Sequence, residues 1–450
     1  MHHRIVSILR RLKQDPARHL DRPAIVEVCR EVQHSWRAGL LDPVATIHLF
    51  LTQILHGNTA INHLRRLAGA EFTDSAYCQA RARLPLELFR GLLRRLAASL
   101  QATADDTGRW RGHRVFVADG SSFSMPDTPA LQDHFGQPSG QKPGCGFPVA
   151  HLLALFHVGT GMLLEVLAGP LYTHDMSGAA QLHPQLRAGD VLLGDRAFCS
   201  FAHLALLVGR GLHGVFRLHQ RQIVDFTPHR EYTRPGDRKA PKGRPHSRWL
   251  RRLGVTDQLV AWLKPKERPE WMTAAQYASL PAELVVRELR YRVDRPGFRV
   301  KEVTLVTTLL DAELYPLEAL AELYRARWQV ETNLKHLKIT MEMDVLRCET
   351  VAGVSKELMM FALVYNLVRL VMVEAARRQG VAVDRISFVD ALRWLTTARP
   401  GERLPQLVVN PDRPNRVEPR VRKRRPKQYP LMTKPRSELR KALMGQGVTP

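Results

Sequence analysis

At 450 residues the chain exceeds one ordinary hydrophobic core, so two or three domains are expected, and 44% hydrophobic content is enough to bury them. With 67 Lys and Arg against 43 Asp and Glu, the formal charge is +24 and the isoelectric point about 10.4, the balance of a polyanion binder, with nucleic acid ahead of anionic membrane. The most apolar run, Val149 to Gly169, is interrupted by His151, His157 and a Gly159-Thr160-Gly161 turn, short of the roughly eighteen unbroken residues of a membrane span.

The N-terminus, MHHRIVSILRRLKQ, is basic without a continuous apolar core or a small-residue cleavage site, so a cytoplasmic protein is expected. Cys29, Cys78, Cys145, Cys199 and Cys348 are widely spaced, odd in number and free of any C-x2-C pair. They read as thiols of a reducing compartment and not as a disulfide frame or zinc site.

Residues 1–110 are helical by pattern, broken at Asp21-Arg22-Pro23, Asp42-Pro43, Gly57-Asn58 and Leu84-Pro85. Leu86, Phe89, Leu93, Leu96 and Leu100 step by three and four along one face. Thr73 to Arg83 opens on a Thr/Asp capping signal and carries Gln79, Arg81 and Arg83, a basic helix that could enter a major groove or merely belong to a supporting bundle. At Arg114 the pattern turns to a short alternating strand that ends in Asp119-Gly120, where a carboxylate can project over the sheet edge. VAHLLALFHV and MLLEVLAG follow as a hairpin and complete a three-stranded antiparallel meander. A helix from His174-Asp175 to about Arg187 leads to VLLGDRAF, a strand buried on both faces with Asp195 at its end, then a helix from Phe201 to Gly211 and a strand from His213 to Leu218.

From about 220 to 252 the chain is basic, proline-rich and irregular, and LVVRELRYRV and FRVKEVTLVTTLL then alternate as strands around Arg295-Pro296-Gly297. Trp249, Trp262 and Trp271 could stack on an unpaired base, although ordinary packing accounts better for each. Leu314 to Met343 reads as one long helix, with Pro316 tolerated in its first turn. At 100° per residue, Tyr324, Arg327, Glu331 and Lys338 form one polar stripe beside the apolar face of Leu323, Val330, Leu334 and Met341. Leu358 to Val373 predicts a final helix packed on the core. Arg420, Arg422, Lys423, Arg424, Arg425 and Lys427 lie among prolines in a basic, flexible tail suited to sequence-independent DNA attraction.

The spacing Tyr-x2-Arg-x3-Glu-x6-Lys resembles, at all four fixed positions, the signature of the DDE transposases of prokaryotic insertion sequences, in the large family numbered four. ADGSSFSMPDTPALQDHFG around Asp119 looks like that family's first catalytic block, and GDRAF at 194–198 like its second, of the Asp-Arg-x-Phe type. The element order from Arg114 to Leu218 is similar to that of an RNase H-like nuclease core. The resemblance implies an α/β fold with that catalytic core in residues 111–219 and 311–400 and a β-rich insertion at 220–310. A helical, DNA-binding domain would precede it at 1–110, and a tail would follow at 401–450. Tyr365, Asn366 and Arg369 also resemble family members but read as structural.

On this reading Asp119, Asp195 and Glu331 are catalytic and hold two Mg²⁺ (or Mn²⁺) ions, Asp119 bridging both. In-line phosphoryl displacement uses two hard cations roughly 3.5–4 Å apart, and carboxylates are their natural ligands. Tyr324, Arg327 and Lys338 would contact DNA phosphates. The partners implied are double-stranded DNA, as terminal inverted repeats and as target, with the protein dimeric on DNA and no membrane involved. No His/Cys set competes for a metal, and GDRAF is not a nucleotide loop, which disfavours an ATPase. A structure-selective nuclease with the same core and a non-catalytic DNA-binding derivative are the alternatives.

Overall fold

The computed structural model describes residues 20–104, 109–173, 175–237, 241–293, 302–397, 402–411 and 432–445. The N-terminal segment before residue 20, the Arg295-Pro296-Gly297 turn and the cationic run Arg420 to Lys427 lie outside the described residues.

One mixed sheet of nine strands organises the chain, in the order β3-β2-β1-β4-β5-β9-β8-β7-β6. The strands are β1 (Val115–Ser124), β2 (Val149–His157), β3 (Leu163–Pro170), β4 (Val191–Gly194), β5 (His213–Arg217), β6 (Ser247–Gly254), β7 (Asp257–Leu263), β8 (Glu283–Arg292) and β9 (Glu302–Thr307). β1, β2 and β3 form the expected meander, and β4 and β5 add to β1 in parallel. The strands drawn from 220–310 continue the same sheet, because β9 returns antiparallel onto β5 with Val215 opposite Thr307.

Alternation along the strands supplies two cores. Phe116, Leu192 and Phe216 face one side, covered by α-helices Asp175–Leu182 and Phe201–Gly209. Val117, Leu193 and Val215 face the other, against the helix Val351–Gln379 and the N-terminal helices.

Five described helices precede the sheet: α1 (Arg22–Glu31), α2 (Pro43–Leu55), α3 (Ile61–Ala68), α4 (Asp74–Arg83) and α5 (Leu86–Ala104). Three of them start at residues where the sequence showed a break or, at Thr73, a capping signal. Asp21, Asp42 and Thr73 are N-caps whose side chains accept from Ala24 N, Ala45 N and Ala76 N. The helices do not form an independent core; Phe50, Leu88 and Phe89 pack in one cluster with Leu358 and Phe361, and only a small group around Leu64, Phe72 and Tyr77 stands apart. The polar residues of α4 divide between its two sides. Arg81 is not on its free face: the guanidinium lies 3.8 Å from the centre of the Phe50 ring and donates to Cys348 Sγ at 2.9 Å. Gln79 and Arg83 remain exposed.

The helix Val351–Gln379 is apolar and long enough to cross a membrane, but 94% of its apolar window is buried inside the fold. It is a core helix, and three of its polar residues bond to the hairpin between β2 and β3. Tyr365 Oη donates to Gly161 O at 2.7 Å, Asn366 Nδ2 to Leu163 O at 2.7 Å, and Arg369 Nε to Thr160 O at 2.7 Å. The structural reading of these three is therefore correct. The tryptophans of the sheet extension are likewise packed, Trp262 donating to Glu288 Oε1 at 2.9 Å and Trp249 lying against His229.

The single helix expected over Leu314 to Met343 is three pieces: helices Leu317–Ala326 and Gln329–Lys335, then a π-turn His336–Thr340. Between the helices the amides of Arg327, Trp328, Val330 and Glu331 bond to carbonyls three residues back, so the backbone tightens without reversing. Arg327 lies at this tightening, its buried guanidinium 5.7 Å from the centre of the Tyr324 ring and 5.3 Å from that of Trp328. The π-turn closes on Met341 N to His336 O at 3.0 Å. Such wide turns recur at functional positions.

Candidate active site

Asp119 was expected just past a strand end, in a turn. β1 instead runs on to Ser124, with Asp119 paired opposite Ala154 of β2. What ends is the neighbour: β4 pairs with β1 only as far as Val117 opposite Leu193. Beyond that pair one side of β1 is uncovered until residues 344–346 close it, Val345 pairing with Ser124. Asp119 stands at the start of this gap.

The register of the gap is fixed one residue before each strand. Arg114 and Asp190 form a buried ion pair, Arg114 Nε donating to Asp190 Oδ1 at 2.8 Å, and Val191 N donates to Arg114 O. From Val115 opposite Val191, counting forward brings Asp119 level with Asp195. Asp195 keeps extended backbone, so both carboxylates share the face of Val117 and Leu193, the side on which the signature helices lie. Asp195 also caps the one-turn 3₁₀ helix Arg196–Phe198, its Oδ1 accepting from Ala197 N at 2.7 Å.

The signature helices bring the rest. Arg327 Nη1 is 3.7 Å from Asp119 Oδ2, and Nη2 is 3.9 Å from Glu331 Oε1. Both exceed hydrogen-bond length, and Arg327 Nε is buried without a partner. Glu331 is more than half exposed, so one of its oxygens can move. Tyr324 is buried, and burial pushes its ionisation upward; the Arg327 and Arg217 charges oppose this and the Asp195 charge reinforces it. It is therefore a neutral phenol that senses Asp195. Lys338, in the π-turn, donates to Ser121 Oγ at 2.9 Å, and partial burial lowers its pKa against the opposing charge of Asp344.

All six residues singled out in the sequence thus gather at the open side of β1. Sequence reading missed three neighbours: Ser121, two residues on from Asp119 and on the same face; Trp328, whose ring is exposed beside Arg327; and Arg217. The DGSS motif held the signal for Ser121, since period two in a longer strand places it with Asp119.

Among the described residues no three His, Cys, Asp or Glu side chains converge closely enough to hold one ion together. Asp119 and Asp195 come level on two neighbouring strands, and the Arg327 guanidinium stands between Asp119 and Glu331. An all-oxygen donor set is the right chemistry for Mg²⁺, which keeps several waters and needs few protein ligands.

Comparison with known proteins gives a concordant result. The transposase DDE domain family matches residues 110–367, which contain every residue of this site. The chain is 29% identical over 381 residues to the transposase InsG of insertion sequence element IS4 from Escherichia coli K12, covering 80% of this chain and 78% of that one. It is 26% identical over 177 residues to the putative transposase InsZ of the same organism, covering 39% and 56%. A piggyBac transposase synaptic complex with hairpin DNA aligns over 85% of this chain and 79% of its own at 12% identity, with a TM-score of 0.41. The chain is a DNA transposase: it belongs to the transposase DDE domain family, among the relatives of insertion sequence element IS4.

Proposed function

We propose that this transposase cuts the ends of its element and joins them to target DNA at the site built from Asp119, Asp195 and Glu331, within a core of RNase H-like type. In the first step water oxygen bonds to phosphorus, the bond to the 3′ oxygen breaks and that oxygen leaves as a hydroxyl. In the second the freed 3′-hydroxyl attacks a target phosphodiester and displaces its 3′ oxygen in turn. Two Mg²⁺ or Mn²⁺ ions, one held by Asp119 with Asp195 and one by Asp119 with Glu331, would supply Lewis acidity to the attacking and leaving oxygens.

Arg327 would grip phosphate oxygens with its planar fork, for which its long contacts and unpartnered Nε leave donors to spare. Lys338 adds a point charge steadied by Ser121. Tyr324 stays a neutral donor behind Arg327. On α4, the exposed Ser75, Gln79 and Arg83 recur at four-residue steps and would read the terminal inverted repeats in a major groove. Coupling two ends needs two sites, so the protein would pair on DNA. The basic tail would add salt-sensitive attraction, and the reaction would run in the cytoplasm, where the five free cysteines stay reduced.

One observation carries this reading: a guanidinium shared loosely between two carboxylates, with the third level on the next strand. The test is incubation with paired ends of the DNA flanking its own gene plus Mg²⁺. Joined products are expected; cutting without joining would indicate a plain nuclease, and binding alone a non-catalytic derivative.

A further inference from the structure

Behind the Asp195 turn two histidines sit out of contact with water, His183 at the head of the 3₁₀ turn His183–Gln185 and His203 in the first turn of the helix Phe201–Gly209. Their rings lie within 8° of parallel, and their Nε2 atoms are 2.9 Å apart. His203 Nδ1 is 2.8 Å from Phe198 O, the last carbonyl of the one-turn helix that begins at Asp195. A carbonyl can only accept, so His203 carries its proton on Nδ1. Its Nε2 is then an acceptor, and His183 must donate from Nε2. Burial holds both rings neutral at ordinary pH, with pKa values down to about 3 for His183 and about 4 for His203, so each has one proton and the direction of the chain is set.

We propose that His183 and His203 are positioning residues for the transposition reaction, a relay that locks the Asp195 turn and so aims the Asp195 carboxylate toward Asp119. The turn is held by several hydrogen bonds. Asp195 Oδ1 accepts from Ala197 N at 2.7 Å, Phe198 N donates to Asp195 O at 3.2 Å, Arg196 Nη1 donates to Gln220 Oε1 at 2.7 Å, and His203 Nδ1 fastens Phe198 O from behind. The first two contacts lie within the turn itself. His203 supplies the hydrogen bond that ties it to the helix behind, and His183 fixes the His203 tautomer. Leucines of similar volume would fill this space without burying any polar atom, so what the imidazoles add is the hold on Phe198 O.

The inference rests on Asp195 being a metal ligand, and Mn²⁺ binding by the full-length protein, measured by calorimetry without DNA, tests both. His203→Leu removes the donor to Phe198 O, and its Mn²⁺ affinity should fall about ten- to hundredfold, as for loss of other supports behind metal ligands. Cleavage lost at low Mn²⁺ should return at high Mn²⁺, and end binding should be unchanged. His203→Asn keeps a nitrogen donor at the Nδ1 position and should stay within about threefold of wild type. A folded His203→Leu with wild-type Mn²⁺ affinity, or an Asn variant as weak as the Leu one, would overturn the proposal. Should His203→Leu not fold, His183→Phe decides: freeing the tautomer should weaken Mn²⁺ binding in the same direction by a smaller factor, and no change would refute the relay. Nitrogen-15 spectra of the metal-free protein should show His203 protonated on Nδ1 and His183 on Nε2; the opposite pattern would also refute it. Wild-type protein that takes up no Mn²⁺ would instead remove the metal reading itself.

Discussion

Two arginines beside the same sheet have opposite fates. Arg287 on β8 is fully buried and fully used: Nε donates to Asp257 Oδ1 at 2.8 Å, Nη2 to Oδ2 and Nη1 to Tyr315 O at 2.7 Å. Arg327 is nearly as buried, yet its carboxylates stand at 3.7 and 3.9 Å and its Nε has no partner. A buried charge without close hydrogen bonds costs stability, and it persists where a ligand completes it. Arg287 binds the strands to the chain entering the signature helices, whereas Arg327 is shaped for something that arrives.

The comparison breaks first at the three carboxylates, two of which, Asp119 and Glu331, flank Arg327. Asp119→Ala, Asp195→Ala and Glu331→Ala should each lower strand cleavage by on the order of 10³-fold or more, since each removes a group that organises charge in the transition state. Thermal unfolding and end binding should stay close to wild type. Near-normal Mg²⁺-dependent cleavage in any one would remove that residue from the site.

Substitution of the arginines themselves sharpens the contrast. Arg287→Ala leaves Asp257 buried without its partner and should cost about 3–5 kcal/mol in denaturant unfolding. Arg327→Ala should leave stability within about 1 kcal/mol of wild type, because its long contacts contribute little. It should still lose joining of pre-cut ends while keeping Mn²⁺ affinity. Arg327→Lys should recover only part of the joining, lacking the planar fork. If Arg327→Ala unfolded as readily as Arg287→Ala, both would be structural and the contrast would be void.

Acid sets a third, smaller effect. Burial depresses the pKa of His183 to about 3 and of His203 and His336 to about 4, against about 6.5 in an unfolded chain. The unfolded chain therefore takes up protons that the folded one refuses. Their contribution is fully present above pH 6.5 and is lost as pH falls toward 4, by about 1.4 kcal/mol per pH unit for each ring. Glu165 and Glu288, raised by burial, act with the opposite sign, so the informative quantity is the difference between wild type and His183→Phe. Unfolding free energies measured at pH 7.5 and pH 5 should differ less in the variant. An equal acid loss would mean that the His183 ring already reaches water.

What could be read in advance followed from local chemistry. The breaks at Asp21-Arg22-Pro23 and Asp42-Pro43 and the Thr73 capping signal marked helix starts, strand alternation placed the first meander, and the polar stripe with the two Asp blocks of the family resemblance singled out the six candidate residues. Long-range contacts decided the rest. Nothing in residues 220–310 announces that β9 will return onto β5, and Asp-Gly reads as a turn until β2 is known to pair through it. Uniform 100° steps likewise hide the tightened turn at Arg327 and the π-turn at Lys338, whose side chain donates to Ser121 on β1.

Helix α4 repeats the two-arginine contrast on a smaller scale, within three residues. Arg81 stacks on Phe50, donates to Cys348 Sγ and so joins the N-terminal helices to the chain entering the core helix. Arg83, two residues on and therefore about 200° round the helix, is exposed beside Gln79 and Ser75. If α4 reads DNA, the two should separate cleanly. Arg81→Ala should lower unfolding free energy by about 1–3 kcal/mol through lost packing and an unsatisfied neighbour, with affinity for DNA ends changed little once folded. Arg83→Ala should keep stability within about 0.5 kcal/mol while weakening end binding by about 1–3 kcal/mol and flattening discrimination between the element's ends and unrelated DNA. Were Arg83 a phosphate contact alone, affinity would fall equally for both DNAs and the salt dependence would drop by about one charge. Competition binding with specific and random duplexes at two salt concentrations decides between base reading and backbone contact, and a variant indistinguishable from wild type in both would return α4 to a supporting role.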